Sequence, residues 1–187
     1  MAFETMTPES ILCDKHNIIL KRDKINNTFS LEFSFSNPNI EINNIIDVGL
    51  YRVIAEINKD IIERIDIIEN NDYSTTANLL FVFKRFGKEF GIAQKYMYLQ
   101  TTRECSEKEV SLQSRSIPYK SNIEGCELAT SKLVDLHVTL INPHSANLKY
   151  IFNIDFNEDL PFFMENLAGF LMKKIFIRLK TFIENIR

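Results

Sequence analysis

The stretch PFFMENLAGFLMKKIFIRLKTFIENI, residues 161–186, decides how the rest of the chain is read. At 100° per residue, Met164, Ala168, Leu171, Met172, Ile175, Phe176, Leu179, Phe182, Ile183 and Ile186 fall on one wide arc. Lys173, Lys180, Glu184 and Asn166 fall opposite. The pattern predicts one long helix from about Pro161 to Ile186. Asp159 suits its N-cap, and Pro161 its first turn, where no amide donor is needed. A narrower stripe holds Phe163, Phe170 and Ile177, one every two turns. One face therefore belongs to a core, and a smaller apolar strip is left over. Glu165, Lys173, Lys174 and Arg178 interrupt the apolar run, which falls short of the roughly 18 residues a membrane span requires.

Upstream of this helix the apolar residues recur at period two, the signature of half-buried strands. Ile18-Ile19-Leu20 makes a short run, and Phe29, Leu31, Phe33 and Phe35 alternate with polar residues until Asn37-Pro38-Asn39 stops them. Between 41 and 56 the spacing changes to three and four, which predicts one helix or two short ones. Six further strands follow, on residues 61–69, 79–83, 95–100, 110–116, 134–140 and 148–156, with Asn70-Asn71-Asp72 read as a turn. Strands, short helices, more strands and a final helix make an α+β domain in which a helix lies against an antiparallel sheet. A curved sheet closing on one helix leaves room for a cavity between them.

Composition narrows the function. At 187 residues the chain suits one domain, 1–187, and 45% hydrophobic residues supply enough apolar mass for a core. A net charge of −3 argues against a grip on nucleic acid through its phosphates. Five glycines leave little for phosphate-cradling loops, and the motifs of P-loop, Rossmann, zincin and serine-hydrolase enzymes are missing. Cys13, Cys105 and Cys126 are odd in number and show no metal-ligand spacing, so reduced thiols of a cytoplasmic protein are expected, with no metal and no cofactor. Asp135 and His137 share a strand face and a serine could complete a triad, but the plainer reading is a solvated pair. Glu63, Asp66 and Glu69 read the same way.

Arg115-Ser116-Ile117-Pro118-Tyr119, then Gly125-Cys126-Glu127-Leu128, then Asp159-Leu160-Pro161-Phe162-Phe163-Met164-Glu165-Asn166 follow one another in an order and spacing that resemble a START domain, the steroidogenic-acute-regulatory-protein-related lipid-transfer module. Ile45-Ile46-Asp47-Val48 and 62–69 fit the upstream part of the same pattern. Two positions depart from it. Ala55-Glu56 stands where the family has W-D, and neutral Gln100 stands where sterol-type members turn an arginine into the cavity. The resemblance implies a helix-grip fold, a curved antiparallel sheet wrapped around the long C-terminal helix, with one lipid (phospholipid, sterol or sphingolipid) carried between them without chemistry. It also implies a monomer that touches a membrane surface transiently.

Strand parity and the resemblance together place Tyr96, Tyr98, Gln100, Leu112 and Ser114 on the cavity wall, facing Ala168, Leu171, Met172 and Ile175. Polar groups on such faces need internal partners, water or a ligand head group, since an unpaired one costs about 1–3 kcal/mol. Ile117, Pro118 and Tyr119, with the strip Phe163, Phe170 and Ile177, are expected to form a gate that docks on a bilayer, unless Ile11-Leu12 covers the strip. Two other functions fit the same residues: an enzyme of the wider helix-grip superfamily, such as a cyclase or hydrolase, and a regulatory or interaction module with a vestigial pocket.

Overall fold

The computed structural model describes residues 9–72, 75–119, 123–157 and 162–187, with the backbone alone at 69–72 and at 163. Among these residues ten strands and two α-helices form. The order is β1 (Ser10–Lys15), β2 (Ile18–Asp23), β3 (Thr28–Ser36), α1 (Leu50–Ile57), β4 (Ile62–Asp72), β5 (Thr76–Phe83), β6 (Gln94–Cys105), β7 (Glu109–Ser116), β8 (Cys126–Leu128), β9 (Val134–Asn142), β10 (Ser145–Phe152) and α2 (Leu167–Asn185). Hydrogen bonding runs β1-β2-β3-β10-β9-β7-β6-β5-β4, antiparallel throughout, while the short β8 pairs parallel to the start of β6. The strand and helix pattern of the sequence is matched for eight strands and for the two short helical segments, a 3-10 turn at Ile42–Asn44 and α1.

β1 and β8 were not visible in the alternation. β1 is held by a two-residue loop, His16-Asn17, with both residues in the left-handed region (φ 61° and 56°), the twist that tight hairpins favour. Asn70-Asn71-Asp72 is not a turn but the end of β4, whose register shifts repeatedly against β5. The last helix begins later than its periodicity suggests. Phe162–Met164 forms a 3-10 turn, and Asn166 rather than Asp159 precedes the first turn of α2. Asp159 and Pro161 lie outside the described residues.

One core fills the space between the sheet and α2. Phe29, Leu31, Phe33 and Phe35 from β3, Leu148 and Phe152 from β10, and Leu136 and Val138 from β9 face Ile175, Phe176, Leu179 and Ile183. Rings lock the contact: Tyr150 and Phe33 lie 4.5 and 6.1 Å from Phe176, and Phe29 stacks on Phe152 at 5.4 Å. α2 approaches β2 and β3 closely because Gly169 has no side chain to hold them apart. Its C-terminal carbonyls are bound by a distant residue. Asn37, fully buried, donates Nδ2 to the Ile183 and Ile186 carbonyls at 2.7 and 2.8 Å. Lys174 and Arg178 on the other flank hold Asp60, which follows α1. Lys173, expected on the solvated face, is instead buried beneath β1 and β2, with its nitrogen on the Ile18 carbonyl at 2.7 Å.

Candidate functional site

Register fixes which residues face α2. β7 and β9 place Leu112 opposite Leu136 and Ser114 opposite Val134, both pairs on the inner face. β6 lies across from β7 with Thr101 opposite Ser114 and Arg103 opposite Leu112. Inward-facing residues on β6 are therefore the odd-numbered ones, and Met97 and Leu99 join the main core. Tyr96, Tyr98 and Gln100 point to the outer face, contrary to the expectation from parity. A shift of one residue moves a whole side-chain set to the other face of a sheet. β6 gave no contrast to prevent it, because Tyr96, Met97, Tyr98 and Leu99 are all buried.

The outer face is covered locally by a second, smaller core. Tyr96, Tyr98, Leu80 and Val82 pack under Ile117, Tyr119, Ile123, Cys126 and Leu128. The Tyr119 ring sits 4.5 Å from Tyr98 and 6.1 Å from Tyr96. Gln100 accepts from Arg115 at 3.0 Å beyond this cluster. Ile117, Pro118 and Tyr119 thus lie on the far side of the sheet from α2 and line neither internal cavity, which displaces the expected gate. In the strip on α2, Ile177 is half-buried and packs on the core with Leu12 of β1, while Phe170 stays 47% exposed. The Phe163 side chain lies outside the described residues.

Two apolar cavities lie between the sheet and α2, each of about 40 Å3. The inner one is walled by α1, β4–β7, β9, β10 and α2, and includes Tyr51, Leu112, Tyr150, Phe152 and Ile175. The outer one lies near the start of α2, between Leu167, Ala168, Leu171 and the 83–93 connection, with Lys84 and Lys95 in its lining. Phe83, Ile154 and Met172 belong to both linings and form the partition. Each cavity has room for roughly three waters. That is far below the roughly 300–1,000 Å3 of pockets that enclose a small organic ligand.

A small polar cluster adjoins the inner cavity through Tyr51, which lines it. Thr101 Oγ1 and Ser114 Oγ share a hydrogen bond of 2.7 Å, and the Tyr51 hydroxyl bonds to both residues. Burial raises the Tyr51 phenol above its ordinary value despite those bonds. Tyr150 is also pushed up, first by burial and then by Tyr51 and Asp135. Both phenols stay neutral donors. No charged side chain lines the inner cavity among the described residues. Lys95 at the outer one is already paired with Glu127 at 2.8 Å.

Sequence reasoning missed Tyr51, Thr101 and Tyr150. Each left a trace, a hydroxyl within an otherwise apolar face, but Thr101 was hidden by the wrong parity of β6. Asp135 and His137 do meet, Oδ2 to Nε2 at 3.9 Å, on the outer face away from both cavities. Burial raises the Asp135 carboxyl, and the neighbouring His137 opposes the shift. Among the described residues no group of three or more His, Cys, Asp or Glu could hold a metal ion, and no helix is long and apolar enough to cross a membrane.

No family model and no curated protein matches the chain. Solved structures do. The human StarD13 (DLC2) lipid transfer and protein localization domain superposes with a TM-score of 0.74 at 14% identity, over 98% of this chain and 92% of that one. Human STARD10 gives 0.78 at 8% identity, over 96% and 74%. Human StAR-related lipid transfer protein 5 gives 0.71 at 11% identity, over 97% and 86%. At such identities the likeness speaks for architecture, and the architecture of this divergent chain is the START, or helix-grip, fold.

Proposed function

We propose that the domain binds one lipid between the sheet and α2, without chemistry, and carries it between membranes. The observation that carries this reading is the lining of the inner cavity. It is apolar apart from two hydroxyl-bearing residues, Tyr51 and Tyr150, and behind it Thr101 and Ser114 hold the Tyr51 hydroxyl. Shielding each methylene of an apolar ligand is worth about 0.8 kcal/mol, so binding needs no catalytic group. The hydroxyls suit a neutral, hydroxyl-bearing lipid such as a sterol or a ceramide-like sphingolipid. A phosphate placed there would lose its water and meet no cation, at a cost of several kcal/mol.

Entry requires movement. A lipid exceeds the present volume, so the Met172, Phe83 and Ile154 partition must yield and join the two cavities. Met172 is the natural shutter because an unbranched thioether adapts to many shapes. In this reading the lipid enters near Leu167 and the 83–93 connection, and the exposed Phe90 and Phe162 touch the bilayer.

The test is uptake from vesicles. Protein incubated with vesicles of phosphatidylcholine, cholesterol and ceramide is re-isolated and weighed intact under native conditions. One neutral lipid per chain is expected, with uptake reduced at least fivefold by Thr101→Val with Ser114→Ala. Recovery of phospholipid alone would overturn the neutral-ligand reading. The small volume favours one other function, an interaction module whose core needs no ligand, and uptake of no lipid class at all would establish that instead.

A further inference from the structure

Lys173 lies in the middle of α2, yet only 5% of it is exposed. A lysine so deeply placed usually meets a carboxylate. Here its nitrogen donates to the Ile18 carbonyl at 2.7 Å and contacts Cys13 Sγ at 3.2 Å. Cys13 comes from β1, an edge strand paired to β2 alone. The register between β1 and β2 slips between Ile11 and Cys13. Such a bulge re-aims side chains, and it lets the consecutive residues Leu12 and Cys13 both pack toward the core. Cys13 is half-buried on this edge strand rather than sealed within the core, and the Lys173 nitrogen is held in place beside its sulfur.

We propose that Cys13 and Lys173 form a peroxide-responsive modification site, at which an S–N bond ties β1 to α2. Hydrogen peroxide, the co-reactant, oxidises the Cys13 thiol by two electrons. The O–O bond breaks, one oxygen stays on sulfur as the sulfenic acid, and the other leaves as water. The Lys173 amine then attacks sulfur. The S–N bond forms, the S–O bond breaks, and the hydroxyl leaves as a second water with one proton from nitrogen. The remaining ammonium proton passes to solvent. Thiols reverse the step by reducing the sulfenamide. Proximity makes the reaction effectively unimolecular, and the Ile18 carbonyl holds the nitrogen beside the sulfur throughout.

The experiment exposes the full chain to a small excess of hydrogen peroxide and maps peptides by mass. The expected product is a peptide pair joined through Cys13 and Lys173, lighter by about 2 Da than the separate peptides, and restored by dithiothreitol. Its formation should fall at least tenfold when the same treatment is made in 8 M urea (about the usual unfolding strength), where proximity is lost. Lys173→Arg should instead accumulate Cys13 heavier by about 16 or 32 Da. Sulfenic or sulfinic acid at Cys13 of the folded wild type with no joined pair would overturn the proposal. So would equal yields with and without urea, or a Cys13 disulfide between two chains.

Discussion

Gly169→Ala tests how closely α2 is held to the sheet. A Cβ at this position would stand 2.6 Å from Phe29 Cδ1 and 2.8 Å from Cε1, with Leu20 Cδ1 at 3.5 Å. Ordinary contact begins at 3.4 Å, so the nearest ring atom would have to withdraw by roughly 0.8 Å. Phe29 has little freedom to do so. It is 2% exposed, stacks on Phe152, and has the Arg22 guanidinium 5.2 Å from its ring centroid. Overpacking of this kind costs about 1–3 kcal/mol. Alanine returns up to about 1 kcal/mol through its helix propensity, less in a first turn. The net loss is about 1–2 kcal/mol, which lowers Tm by roughly 2–8 °C for a chain of this length. Scanning calorimetry measures the shift, and urea unfolding with an unchanged slope shows that the folded state alone is affected. In a Phe29→Leu background the penalty of Gly169→Ala should fall by at least half. An alanine variant that melts above wild type would refute the reasoning, because helix propensity would then have outweighed a contact that is not tight.

Asp60 gives a pH-dependent prediction. Hydrogen bonds from Arg178 and Lys174 hold its carboxyl well below the usual range. A depressed folded-state value contributes stability above the unfolded pKa of about 3.9, and that stability is lost as pH falls through the folded value. The Tm difference between wild type and Asp60→Asn should be steady near neutral pH and narrow below about pH 4; a difference that does not narrow would count against the ion cluster. Asn37→Ala removes the shorter donor from two carbonyls at the end of α2, leaving Ile183 O only the Ile186 amide at 3.4 Å and Ile186 O only Asn39 Nδ2 at 3.5 Å. It should cost about 1–3 kcal/mol in urea unfolding, whereas a loss under about 0.5 kcal/mol would show that these donors and water replace the amide. Tyr119→Ala strips the cover from Tyr98 and should reduce stability by about 1–3 kcal/mol while leaving lipid uptake unchanged, so reduced uptake would return the outer face to the site. Phe170→Asp should weaken flotation with anionic vesicles if the exposed Phe170 adds to the contact made by Phe90 and Phe162; equal flotation would leave the contact to those two alone.

The parts of the fold that the sequence displays are those with one wet face and one dry face. β3 and β10 alternate cleanly because their outer residues, such as Glu32, Ser34, Asn147 and Lys149, meet solvent. β6 is dry on both sides, so its parity, and with it the placement of Tyr96, Tyr98 and Gln100, was not readable from alternation. The cover on the outer face comes from a connection some twenty residues further along, which no local window contains. Lys173 misled for the same reason. Its charge suggested water, but a carbonyl and a thiol on the N-terminal hairpin receive it. The inner wall was partly legible, since Leu112, Ala168, Leu171, Met172 and Ile175 all line one cavity or the other. The cluster of Tyr51, Thr101 and Ser114 unites three elements, and only the register of β6 against β7 reveals it.

The pairing of β3 with β10 has a consequence for how the chain reaches this state. Phe29 lies opposite Phe152, and Ser36 opposite Ser145. More than a hundred residues must be made and brought back before β3 gains its second neighbour. At about 5–20 residues per second, a nascent β3 waits on the order of 10 s. Throughout that interval the phenylalanines of β3 have neither β10 nor α2 to cover them, since α2 follows every strand. Long-range pairing of this kind also places the folding of the finished chain among the slow, millisecond-to-second class. The hairpin of β1 and β2, closed by His16-Asn17, is the partner available early. It occupies one edge of β3 during the wait and leaves the other edge open to a chaperone or to a second nascent chain.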